Sequence, residues 1–248
     1  MAASVRIGAS GWHYKHWVGT FYPPRTPASR MLAYYQERFD TVELNNSFYH
    51  LPKPASLERW RDCTPEGFCF AVKGSRFLTH MKKLKDPEQG LRRFLDAVEI
   101  LRHKLGPILF QLPPNWDLDL DRLGNFLSFL PAVHRYAFEF RNATWSVPET
   151  YSLLARHNIA YCAFDLAGTQ SPRQVTADFA YVRLHGPGGK YQGSYSDAAL
   201  SEWAGQIRQW QRELEAVYLY FDNDQAGYAA QNALRLKELL RDSETQSF

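Results

Sequence analysis

Cysteine is scarce in this 248-residue chain, which has three: Cys63, Cys69 and Cys162. The number is odd and no CxxC spacing occurs, so neither a disulfide framework nor a structural zinc site is expected. Cys69 and Cys162 lie in apolar runs and read as buried free thiols. An excess of one charge is also lacking. The 29 basic and 26 acidic residues leave +3, with no basic arm and no long run of like charge. Net charge therefore gives no support to non-specific binding of nucleic acid or a membrane surface, although a basic patch inside a cleft stays open. No stretch of eighteen apolar residues exists, so no transmembrane helix is expected. The opening MAASVRIGAS has no basic segment followed by an apolar stretch. No secretory signal is expected, and the cytoplasm is the expected location.

Hydrophobic residues make up 45% of the chain and aromatics 15%, enough for a large core. Eight short apolar runs have strand character: VRIGA at 5–9, TVELN at 41–45, FCFAVK at 68–73, PILFQL at 107–112, YAFEFR at 136–141, IAYCAF at 159–164, FAYVRLH at 179–185 and AVYLYF at 216–221. Most are separated by segments of helical period. Thr26-Pro27, Asp86-Pro87, Ser146 and Ser196 offer helix starts. A last helix is expected from about Gln225 to Leu240, with Ala226, Ala229, Ala233, Leu236 and Leu240 as its apolar stripe.

Strand–helix alternation repeated eight times points to a parallel sheet. Its extent matches one (β/α)8 barrel of TIM type, a single domain spanning 1–248, with 241–248 expected as a loose tail. The alternative is a doubly wound open sheet, but its phosphate fingerprint GxGxxG is missing after the first strand.

The pleat sends alternate side chains to opposite faces. Glu43 and Asn45 then share a face, as do Ala71 and Lys73, and Ala137, Glu139 and Arg141. Gln111 follows Leu109, Asp165 follows Ala163, and Tyr181, Arg183 and His185 share a third such face. Asn223 and Asp224 follow the eighth strand. Polar groups thus recur at the C-terminal strand ends, where barrel enzymes carry their sites. The plainer alternative is ion pairs, Glu139 with Arg141 or Glu43 with Lys73, closing the barrel mouth.

The loop SGWHYKHWVGTFYPP after the first strand is rich in aromatics, and Phe48, Tyr49 and Trp145 follow later strands. Trp12, Tyr49 and Trp145, nearest the polar strand ends, are expected to touch ligand. Trp17, Phe21 and Phe48 are expected to pack the loops onto the rim. The glycines of GPGGKYQGSY at 186–195 allow close approach to a ligand, or a mobile lid.

The motifs GASGWHYKHWVGTFYP, TVELNNSFYHLP, FAVKGSRFLTH, ILFQLPP, FEFRNATW, RLHGPGGKYQGSY and YFDND resemble, in this order and over nearly the whole chain, the YecE-like family, or domain of unknown function 72. The resemblance implies a (β/α)8 barrel and brings no reaction with it. Its motif positions here are Glu43, Asn45, Tyr49, Lys73, Gln111, Glu139, Arg141, Trp145, Asp165, Arg183, His185, Asn223 and Asp224. One departure is Asp222, where the family usually has asparagine. Lying on the face opposite Asn223, it is expected to alter the pocket little.

Three classes of function fit. In a metal-independent hydrolase or lyase on a sugar-like or other polar substrate, Glu43 and Glu139 form the acid–base or acid–nucleophile pair, with Lys73 and His185. Trp12, Asn45, Tyr49, Gln111, Arg141, Trp145, Asp165, Arg183, Asn223 and Asp224 then bind the substrate. In a metal-assisted phosphoester hydrolase on a nucleotide or nucleic acid, Glu43, Glu139, Asp165 and His185 hold a divalent metal, and Lys73, Arg141 and Arg183 hold phosphate. In a non-catalytic barrel, the same groups bind a sugar, nucleotide or other small polar or anionic ligand. The first reading is preferred, because mixed carboxylates and cations suit acid–base work; it needs no cofactor.

Overall fold

The computed structural model describes residues 3–244. All eight expected strands form: β1 Ser4–Ala9, β2 Thr41–Leu44, β3 Cys69–Lys73, β4 Leu105–Leu112, β5 Tyr136–Phe140, β6 Ala160–Leu166, β8 Phe179–Leu184 and β9 Ala216–Phe221. A short strand, β7 Thr169–Gln170, turns back antiparallel on β6 and has no counterpart among the sequence expectations. The helices between them are α1 Ala28–Gln36, α2 Asn46–Tyr49, α3 Pro54–Cys63, α4 Pro87–Val98, α5 Leu120–Ser128, α6 Pro148–Arg156, α7 Asp197–Glu213 and α8 Tyr228–Glu244. Parallel strands alternating with helices in this order make the fold a (β/α)8 barrel of TIM type.

The chain forms two compact units. Among the described residues the first comprises 3–43, 163–171 and 179–244. In it β9 lies between β1 and β8, parallel to both, with Ile7 opposite Leu219 and Val182 opposite the same residue. A parallel bridge from Ser10 to Glu43 carries the pairing on to β2. The Tyr35 hydroxyl donates to the Thr41 carbonyl at 3.0 Å and accepts from the Ala9 amide at 2.8 Å, tying α1 to both strands. Phe21 packs against Tyr35 and also against Tyr22, Tyr34 and Phe39. Trp17 and Phe21 are buried, as expected of loop-packing rings.

The second unit comprises 44–162 and 172–178. Here β3, β4, β5 and the start of β6 run parallel. Phe94, Phe110, Phe126, Phe138 and Phe140 form its aromatic core, each at 2% exposure or less. Removing one such ring from water is worth roughly 1.5–3 kcal/mol. Leu91, Phe94, Leu95 and Val98 recur at helical spacing on α4 and are buried there. Cys69 and Cys162 are buried free thiols, and Cys63 is exposed.

Helix starts depart from expectation where proline intervenes. Pro27 takes the N-cap position of α1, so the Thr26 hydroxyl turns back to the Pro23 carbonyl at 2.8 Å. Ser146 lies one residue too early for α6, which starts at Pro148, and its hydroxyl meets that of Tyr161 at 3.1 Å. Asp86 caps with no side-chain bond, at a φ of 43°. Ser196 caps α7 as expected, accepting from the Ala199 amide at 3.3 Å. Ala226, expected inside the last helix, has a left-handed φ of 53°, so α8 begins only at Tyr228. That helix continues to Glu244, so 241–244 are helical rather than loose, and 245–248 lie outside the described residues.

Candidate functional site

In the first unit, β8 alternation aims Tyr181, Arg183 and His185 at one cluster. Arg183 is fully buried, and a lone charge there would be prohibitive. It is met by Glu43, also fully buried: the guanidinium Nε donates to Glu43 Oε1 and Oε2 at 3.1 and 3.0 Å, and NH2 to Oε1 at 2.8 Å. The Tyr181 hydroxyl donates to Glu43 Oε2 at 2.6 Å, and the Ser10 hydroxyl donates to Oε1. Both oxygens of Glu43 are thus engaged. Burial and the adjacent Glu43 carboxylate push the Tyr181 phenol well up.

Arg183 NH2 also donates to Asp222 Oδ2 at 2.9 Å, and NH1 faces His185 Nε2 at 3.3 Å. A guanidinium can only donate, so Nε2 accepts and the imidazole proton sits on Nδ1. From there it is donated to Asp222 Oδ2 at 3.0 Å. Both nitrogens of His185 are engaged, and its side chain has no exposed surface.

Asp222 corrects the expectation that it would alter the pocket little. The expected opposition to Asn223 is present, but the inward face is that of Asp222. Tyr220 bonds Thr41 Oγ1 at 2.7 Å and packs against Tyr181, with ring centroids 5.4 Å apart. The pleat carries that face two residues on, to Asp222. Asn223 instead donates to the Gly193 carbonyl at 2.8 Å and to Asn232 Oδ1 at 2.9 Å, pinning the 186–193 loop and α8.

Over these strand ends a groove of about 470 Å3 is lined by His16, Lys190, Tyr191, Gln192, Asp224, Gln225 and Ala226. The Tyr191 ring lies 5.7 Å from that of His185, joining groove to cluster. The Asp224 carbonyl accepts from His16 Nε2 at 2.7 Å and Trp17 Nε1 at 2.8 Å. Burial, then the neighbouring Asp222, raises the Asp224 carboxyl above the usual aspartate range, with His16 opposing. Burial and the charges of Asp222, Asp224 and Glu43 raise the Tyr14 phenol far up, and its hydroxyl donates to the Ser10 carbonyl at 2.6 Å. Tyr191 and Ala226 hold left-handed φ values of 63° and 53° in the groove wall. Such strain persists only where surrounding structure enforces it, often at functional sites. Gly186 starts this loop at φ 107°, and a Cβ there would lie 2.2 Å from the Gln192 carbonyl oxygen.

Asp165 lies where β6 turns into the β7 hairpin. Its Oδ2 accepts from Gln170 Nε2 at 3.3 Å, and its carbonyl from the His185 amide at 2.7 Å. In the second unit, Gln111 pairs in register with Glu139, and Glu139 forms a close ion pair with Arg141. Lys73 Nζ lies 4.5 Å over the Phe48 ring, whose edge meets His80. Burial, with Lys73 and Arg76 nearby, pushes the His80 imidazole down to about 4. Asn45 precedes α2, and Tyr49 at its end is 69% exposed. Trp145 departs from its expected ligand contact. Its ring has no exposed surface, stacks on Phe140 at 4.9 Å, and donates from Nε1 to the Trp116 carbonyl at 2.8 Å. Trp12 is 7% exposed, and its carbonyl accepts from the Tyr22 hydroxyl. The four-residue metal set finds no counterpart: among the described residues no three His, Cys, Asp or Glu side chains are grouped to hold a metal ion. Among them no helix is long and apolar enough to cross a membrane.

Ser10, Tyr14, Tyr181 and Asp222 join the cluster without having been singled out as site residues, and so do the groove residues His16, Lys190, Tyr191, Gln192 and Gln225. Pleat parity already puts Tyr181 on the face of Arg183; it puts Asp222 on the face of Tyr220 but does not say which face of β9 turns inward. Residues 6–247 match the family model described as protein of unknown function DUF72. The chain belongs to the DUF72 family. A curated relative, the UPF0759 protein YunF of Bacillus subtilis, is 27% identical over 95% of this chain and 94% of its own. The UPF0759 protein YecE of Escherichia coli is 30% identical over 56% of this chain and 48% of its own. The crystal structure of a DUF72 family protein from Thermotoga maritima superposes with a TM-score of 0.88 at 30% identity, covering 96% of this chain and 99% of that one. A DUF72 family protein from Enterococcus faecalis, at 19% identity and a TM-score of 0.80 over 96% and 95%, shares the fold.

Proposed function

We propose that this chain is an acid–base enzyme, a hydrolase or lyase acting on a small polar substrate of sugar size in the groove beside Asp224. The observation that carries the reading is the Asp224 carboxyl in the groove wall, raised by burial and by Asp222. A carboxyl so raised keeps its proton further toward neutral pH and can hand it to a leaving oxygen as that bond breaks. Arg183 pairs with both Glu43 and Asp222, so the cluster beneath the groove is anionic on two sides of a single guanidinium. His16, bonded to the Asp224 backbone, orients the acid, and Tyr191 and Gln192 supply a ring face and an amide.

Glu43 acts in this reading by holding Arg183 rather than by meeting substrate, because both of its oxygens are already bonded. The same engagement disfavours metal ligation at this carboxylate. The test is a screen of glycosides, sugar acids and phosphodiesters with and without EDTA, repeated with Asp224→Asn. Turnover that survives EDTA and falls at least about 100-fold in the variant is expected, the usual scale for a general acid. Activity lost with a stoichiometric metal, full activity in Asp224→Asn, or binding of one class without turnover would each overturn it.

A further inference from the structure

Asp222 receives the Arg183 NH2 and the His185 Nδ1 on a single oxygen, Oδ2, at 2.9 and 3.0 Å. Two donors converging on one carboxylate oxygen fix its rotamer and place its charge. The residue is 7% exposed, so it is nearly closed to solvent and to a substrate in the groove. Asp224 follows two residues later, in the groove wall. We infer that Asp222 is a positioning residue whose anchored charge acts on Asp224 across the end of β9, setting the pH range of the site without touching substrate. The inference rests on the acid–base reading of Asp224.

The geometry separates the charge of Asp222 from its shape. Both bonds are accepted by one oxygen, and an asparagine with its carbonyl oxygen there accepts both. Asp222→Asn therefore keeps the bonds to Arg183 and His185 while removing one negative charge beside Asp224. Among the described residues, the other titratable groups beside Asp224 are His16, with Nε2 3.7 Å from Asp224 Oδ2, and Tyr14, both from the segment after β1, while Lys190 and Tyr191 line the same groove from the loop after β8. Of these, His16 favours the ionised form of Asp224, against Asp222.

The test follows the Asp224 carboxyl carbon by NMR in isotope-labelled full-length protein without substrate, so it does not depend on turnover. In the unaltered chain the titration midpoint is expected above the ordinary aspartate value. In Asp222→Asn it is expected to fall by roughly 0.5–1 unit, the scale of one neighbouring charge. In His16→Gln it is expected to rise. If Asp222→Asn does not fold, Asp222→Ser, which also removes the charge, decides. An ordinary midpoint in the unaltered chain, or a midpoint unmoved by Asp222→Asn or by His16→Gln, would overturn the inference. A shifted midpoint in a protein without turnover would instead count against the enzymatic reading alone.

Discussion

Replacing Arg183 with leucine removes the guanidinium that pairs with both Glu43 and Asp222. Leucine keeps an apolar stem but leaves the Glu43 carboxylate, which has no exposed surface, with only the hydroxyls of Ser10 and Tyr181 among these partners. Breaking a buried ion pair from one side costs about 3–5 kcal/mol, because the remaining charge stays desolvated. For a chain of this length each kcal/mol moves the melting midpoint by roughly 2–4 °C. Arg183→Leu is therefore expected to melt about 6–20 °C below the unaltered protein, read by circular dichroism at pH 7. The triple variant Glu43→Gln, Arg183→Leu, Asp222→Asn removes the orphaned charges and is expected to recover part of that loss. An Arg183→Leu protein melting within about 2 °C of the parent would refute the claim that this cluster is closed to water. A triple variant no more stable than the single one would refute the claim that stranded charge is the cause.

Two further outcomes separate core from site. Trp145→Ala is expected to cost about 3–5 kcal/mol through the cavity left against Phe140, measured by urea unfolding. A loss below 1 kcal/mol would return Trp145 to the ligand contacts. His80, pushed down to about 4, binds its proton less tightly in the folded chain than the ordinary imidazole value of 6.5. Its neutral form therefore adds stability above pH 6.5 that is lost as pH falls through about 4. His80→Gln is expected to flatten stability across that window, and an unchanged acid limb in thermal melts would contradict it.

The strand-end polar groups were legible because alternation is local. Within FAYVRLH, backbone pleating alone puts Arg183 and His185 on one face, and the structure has both in one bonded cluster. The eight strands were legible for the same reason, each being a short apolar run with its own turns. The place of Trp145 is not legible in the sequence, because a residue near a polar strand end can still turn inward, and only the packing of Phe140 and Trp116 decides that.

The amino-acid sequence by itself determined the order of strands and helices, the buried thiols, and which residues along a given strand share a face. These follow from short-range sterics and hydrophobic period, which neighbours in sequence set between themselves. Tertiary structure alone decided which face of β9 turns inward, because that depends on the bond from Tyr220 to Thr41, 179 residues away. The same holds for the groove, whose walls come from loops after β1, β8 and β9. Their meeting is fixed by strand pairing across the sheet, an interaction between segments that no local pattern contains.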